Sequence, residues 1–150
     1  MKFYKKVLIV LLVAFVGIQF IPTNRNQSNE VLSSDISLTY DVPENIQSIL
    51  KTSCYDCHSN NTEYPWYNKI QPISWLLEGH VEEGKSDLNF SEFGSYSIRR
   101  QKSKLRSMES QIEHDEMPLS SYTLMNRNAK ISDQEKLLLL DWINNLRDSL

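Results

Sequence analysis

Apolar residues crowd at the start of the chain and then recur at helical spacing in four places. An apolar run from Val7 to Ile18 follows Lys2, Lys5 and Lys6, and Phe20-Ile21-Pro22 closes it. A basic start before such a run reads as an export signal. Residues 1–22 are expected to form a signal peptide or, since no clear small-x-small cleavage site follows, a signal anchor held in the membrane through residues 7–21. The basic flank keeps the N-terminus inside and places the body on the periplasmic side of the cytoplasmic membrane. Residues 23–40 are polar, rich in Asn and Ser, and read as a linker.

From residue 41 onward the pattern predicts helices and no strand. The first spans roughly 43–53, with Pro43 in its first turn and Ile46, Ile49 and Leu50 as its apolar stripe. The second spans roughly 72–84, where Ile73, Leu76, Leu77, His80 and Val81 share one face. The third spans roughly 95–113, with Ile98, Leu105, Met108 and Ile112 on one side. The fourth spans roughly 133–147; Ser132 and Glu135 suit a capping box, and Leu138, Leu139, Trp142, Ile143 and Leu146 supply its buried face. The expected fold class is all-α: about four helices over residues 41–150. The stretch from 54 to 71 is long for a connection in a compact helical domain, and something other than chain packing is expected to organise it.

Composition narrows the function. At 150 residues the chain suits one domain of ordinary size plus a leader. Beyond the three leader lysines it carries 13 Lys and Arg against 19 Asp and Glu, a net −6 that argues against binding nucleic acid. Its 4 glycines form no dinucleotide or P-loop fingerprint.

Both cysteines fall in Cys54-Tyr55-Asp56-Cys57-His58. C-x-x-C-H is the attachment signal of a c-type haem. Two thiols must each reach a porphyrin vinyl group to form a thioether, and the adjacent imidazole must reach the iron, which one short turn permits. Cys54 and Cys57 are thus the expected thioether residues and His58 the expected axial iron ligand, of a single covalent haem c. An export signal agrees with this, because c-type attachment takes place outside the cytoplasmic membrane. Three other readings compete: a thiol–disulfide redox pair, a structural disulfide, and zinc held by Cys54, Cys57 and two of His58, His80 and His114.

Function turns on the sixth iron position. Met117, in Glu116-Met117-Pro118 ahead of the last helix, is the first candidate, with Pro118 stiffening the chain beside it. Methionine there raises the reduction potential and suits electron transfer. His80, on the apolar face of the second predicted helix, is the rival. Met108 is expected in the core and His114 in solvent, and Met125 is a further methionine within the same half of the chain. Trp66, Trp75, Trp142, Tyr64 and Tyr67 suit either a haem wall or ordinary core.

Over roughly residues 40–148 the chain resembles a family of small bacterial exported haem-binding domains related to cytochromes c. The resemblance is carried by the Cys54–His58 unit and by Ser59-Asn60-Asn61-Thr62-Glu63-Tyr64-Pro65-Trp66-Tyr67. Ile70, Pro72 and Trp75, then His80, Val81 and Gly84, and Leu88-Asn89-Phe90-Ser91 extend it, with Glu116-Met117-Pro118, Tyr122 and Asp141-Trp142 at the end. It implies a cytochrome c-like fold with haem on Cys54, Cys57 and His58. It does not specify the reaction. The Gly-x-x-aromatic pair usual in the first helix of cytochromes c is missing, so the contact of first and last helices is expected to use Ile46 or Leu50 against Trp142. The second nitrogen of the His58 ring needs an acceptor, for which the backbone around Pro72 is the expectation by analogy. The expected function is one-electron transfer with an unidentified redox partner protein. The alternatives are a haem enzyme or sensor with an open sixth position, acting on peroxide or a gas, and a dithiol oxidoreductase.

Overall fold

The computed structural model describes residues 2–28 and 30–150. Its α-helices are α1 (Phe3–Ile18), α2 (Ile36–Thr39), α3 (Glu44–Ser53), α4 (Tyr55–His58), α5 (Ile73–Asp87), α6 (Ile98–Glu113), α7 (Ser120–Met125) and α8 (Asp133–Ser149). Short 3-10 turns cover Trp66–Lys69, Phe90–Ser95 and Arg127–Ala129. Among the described residues there is no β-strand, only an isolated bridge between Gln27 and Asn61. The all-helical expectation holds.

Helices α3, α6 and α8 form the body of the core. On α6, Gln101, Leu105, Met108 and Ile112 are buried, one or two turns apart along a single face. Ser97 caps its start by accepting from the Arg100 N–H. On α8 the capping box of Ser132 and Glu135 is formed both ways, and Leu139, Trp142, Ile143 and Leu146 are buried. The hydroxyl and backbone N–H of Ser132 hold the Glu135 carboxyl below the usual carboxylate range. Helices α3 and α8 touch, and Ile46, Leu50 and Trp142 lie in one apolar cluster. Two stripe residues depart from expectation: Ile98 and Leu138 are 49% and 42% exposed, because each lies at the edge of its helix's apolar face.

The remaining core residues come from segments without periodicity. Phe90 and Phe93, in the turn after α5, are almost fully buried. Residues 23–40 carry more structure than a polar linker requires. Ile36 is fully buried, and Asp35 caps α2 by accepting from the Ser37 N–H at 2.9 Å. The Gly94 N–H donates to the Ser34 carbonyl at 2.8 Å, and a Cβ at Gly94 would collide with the Thr39 side chain. Glycine thereby lets the two segments meet.

Helix α1 has no buried residue. No helix of the described residues is long and apolar enough to cross a membrane.

Candidate functional site

Helix α3 ends at Cys54, whose φ of −127° breaks the helical run, and α4 restarts at once. The Cys57 and His58 N–H groups both donate to the Cys54 carbonyl, at 3.2 and 2.9 Å. Cys54, Cys57 and His58 therefore occupy one turn at i, i+3 and i+4 and share a face. The two thiols are free and half-buried. Burial, the larger cause in each case, pushes the Cys54 thiol up to about 12 and the Cys57 thiol up to about 11. Thiols primed for disulfide exchange shift the other way. Among the described residues no group of three or more His, Cys, Asp or Glu is placed to hold a metal ion, which gives the zinc reading no ligand set.

The orientation of His58 comes from a backbone group. Its Nδ1 lies 3.0 Å from the Leu88 carbonyl oxygen. A carbonyl only accepts, so Nδ1 carries the proton and Nε2 keeps its lone pair for a ligand. The acceptor is thus Leu88 and not the backbone near Pro72. Pro72 is exposed at the start of α5, whereas Leu88 follows the end of that helix beside the haem motif. Burial lowers the His58 pKa, which keeps the imidazole in the neutral form that binds metals.

Gly84 sets how closely α5 approaches α4. A Cβ there would stand 2.7 Å from the Cys57 carbonyl oxygen, a distance that side chains essentially never show. This close approach brings the stripe of α5 alongside the Cys-His turn. The stripe lies largely outside the core: Ile73 and Leu76 are 43% and 61% exposed and only Ser74, Val81 and Gly84 of α5 are buried. Its apolar residues face a cleft.

Two clefts, of about 380 and 240 Å³, adjoin at this point. Cys57, Ile73, Leu76, His80 and Tyr67 border the first. Cys54, Leu88, Phe90 and Met108 border the second. His58 and Met117 border both. The residues fit a haem: each cysteine borders its own cleft, His58 borders both with Nε2 left free by the Leu88 bond, and Ile73 and Leu76 stand exposed beside the first.

Met117 reaches the site through the end of α6. Asp115 takes a left-handed φ of 57°, the Asp115 N–H donates to the Ile112 carbonyl at 3.2 Å, and the Glu116 N–H donates to the Gln111 carbonyl at 2.9 Å. That pair of bonds is a Schellman motif with Asp where Gly is usual. The Met117 N–H also donates to Gln111, at 3.2 Å, and turns the chain back onto the clefts. His80 lies half-buried in the first cleft, Met108 is buried at the edge of the second, Met125 borders the first while 57% exposed, and His114 is exposed. Of the aromatic candidates, Tyr67 borders the first cleft, Trp142 is core, and Trp66 is 73% exposed.

A polar scaffold that the sequence did not disclose holds the loop from 59 to 67. The Asn26 side chain donates to the Ser59 carbonyl at 2.8 Å and to the Thr62 hydroxyl at 2.9 Å, and accepts from Lys85 at 2.6 Å. The Thr62 hydroxyl donates to the Asp56 carbonyl at 2.6 Å. The Asp56 carboxylate accepts from the Glu63 N–H at 3.0 Å and from the Tyr122 hydroxyl. That bond ties α7 to the middle of the haem motif; burial, then the Asp56 carboxylate, push the Tyr122 phenol well above its ordinary range. The Asn89 side chain donates to Asn60 at 2.8 Å.

The haem-binding domain family matches residues 13–145. The chain is also 26% identical over 93 residues to the cytochrome c peroxidase Ccp of Escherichia coli (strain K12), a match that covers 60% of this chain and 20% of that protein. It therefore spans about a fifth of the length of that relative. No solved structure matches the chain. With a match over most of its length and clefts whose residues fit the cofactor, the chain belongs to the haem-binding domain family and binds haem.

Proposed function

We propose that the protein is a cytochrome c-like, one-electron carrier on the periplasmic side of the cytoplasmic membrane, with one haem c attached through Cys54 and Cys57. The observation that carries this reading is the pair of adjoining clefts, one with each cysteine, with His58 and Met117 at their junction. His58, oriented by the Leu88 carbonyl, would hold the iron through Nε2, and Met117 would supply the second protein ligand, with His80 as the alternative. When bound, haem supplies reversible one-electron chemistry between ferric and ferrous iron. The chain's own residues hold it by thioethers, keep the His58 ring neutral and aligned, and exclude water with Ile73, Leu76, Tyr67 and Phe90. Among the described residues Lys104 is the one Lys or Arg bordering either cleft, and it would be the partner for a haem carboxylate. The apolar N-terminal segment, residues 7–21, anchors the domain, and the electron partner is another redox protein.

Met117→Ala tests the assignment. The parent is expected to be low-spin with a methionine–iron charge-transfer band; the variant loses the band and its reduction potential falls. An unchanged spectrum refutes Met117 and directs the same test to His80.

A second reading draws on the Escherichia coli relative, whose name is that of a peroxidase. Peroxide chemistry needs an open iron position. A high-spin oxidised spectrum in the unaltered protein would favour it over electron carriage.

A further inference from the structure

The end of α1 is tied into one face of the domain. The Gln19 side chain donates to the Gln71 carbonyl at 3.2 Å and accepts from the Gln71 N–H at 2.9 Å. The Gln71 side chain donates to the Ile21 carbonyl at 3.3 Å, and the Thr23 and Ser74 hydroxyls are 3.1 Å apart. Four hydrogen bonds thus couple the segment just after α1, Gln19 to Thr23, to Gln71 and to Ser74 in the first turn of α5.

That face is unusual in its exposed residues. Trp66 is 73% exposed, Trp75 37%, and Ile73 and Leu76 stand open at the edge of the first cleft. Arg25 and Lys69 lie within its segments, 19–28 and 64–77, and Glu78 at its edge accepts from the Tyr64 hydroxyl at 2.8 Å. Exposed tryptophans with a few basic residues beside an apolar helix are the composition of a bilayer interface, where indole sits at headgroup level and cations meet anionic lipid.

Length points the same way. A helix of 16 residues spans about 24 Å, against a hydrocarbon core of about 30 Å. A short span is accommodated by thinning the bilayer and drawing flanking residues to the interface. Phe20, Ile21 and the face bonded to them are what would be drawn in.

We propose that the rim formed by Trp66, Trp75 and the start of α5 rests in the headgroup layer of a lipid bilayer, so that the edge of the first cleft at Ile73 and Leu76 faces the membrane. The proposal rests on the anchored reading of residues 7–21 given above.

The test uses the full-length protein, carrying haem, in vesicles of phosphatidylcholine and phosphatidylglycerol with a photoreactive phospholipid whose diazirine lies near the headgroup. After irradiation, adducts are mapped by peptide mass. Lipid adducts are expected on residues 3–21 and on 66–76, both well above the peptide carrying Leu137 and Leu138, exposed apolar residues that the proposal leaves in water. Adducts on 3–21 with only background on 66–76 overturn the proposal, leave the anchor standing, and free the rim for a protein partner. Background on 3–21 overturns the anchor and the proposal together.

Discussion

His58→Ala is expected to abolish the low-spin spectrum of the haem-loaded protein completely. The imidazole is held by the Leu88 carbonyl at 3.0 Å and borders both clefts, so its removal takes away one strong-field ligand and opens a space of imidazole size beside Leu88. Free imidazole, added in excess, is expected to restore much of the low-spin spectrum. That rescue separates ligation from a packing role, since a merely structural residue would not be replaced by a small molecule in solution. Optical titration with imidazole reads both effects. An alanine variant that keeps the parent spectrum would show that another residue, His80 first, holds the iron on this side.

Phe90→Ala is expected to cost about 3–5 kcal/mol of stability, a large part of the ~5–15 kcal/mol typical of a domain. Phe90 is 1% exposed, stacks on Tyr55 with ring centroids 5.2 Å apart, and meets the edge of His58 at 6.2 Å. Its loss leaves a cavity beneath the haem motif, so the denaturation midpoint should fall and the haem spectrum should broaden or shift. Phe90→Leu keeps most of the apolar volume and should cost much less. Phe93→Ala is the control: it is equally buried but packs against Tyr40 and Tyr96, so stability should fall while the spectrum holds. A Phe90→Ala variant within about 1 kcal/mol of the parent would contradict the packing described.

The long helices were legible because periodicity accumulates over many residues. Leu105, Met108 and Ile112, or Leu139, Trp142, Ile143 and Leu146, mark a buried face without ambiguity. Helices α2, α4 and α7, of 4 to 6 residues, are too short to display a period. Periodicity reports an apolar face and not what covers it: the stripe of α5 borders a cleft. The Cys54–His58 unit was legible because the bonds it is suited to form constrain its spacing. The orienting acceptor of His58 was not, since a backbone carbonyl such as that of Leu88 leaves no mark on residue type. Nor was Asn26, whose bonds to Ser59 and Thr62 cross more than thirty positions with no local pattern.

The central claim is that haem is bound covalently through Cys54 and Cys57. The most direct measurement is the intact mass of the full-length protein co-expressed with a haem-attachment system, beside a Cys54→Ser, Cys57→Ser double variant. The account predicts a mass increase of one haem that survives denaturation, thioether-type pyridine haemochrome bands, and the loss of both in the double variant. An unmodified chain with two titratable thiols, produced where a control cytochrome c is loaded normally, would contradict it.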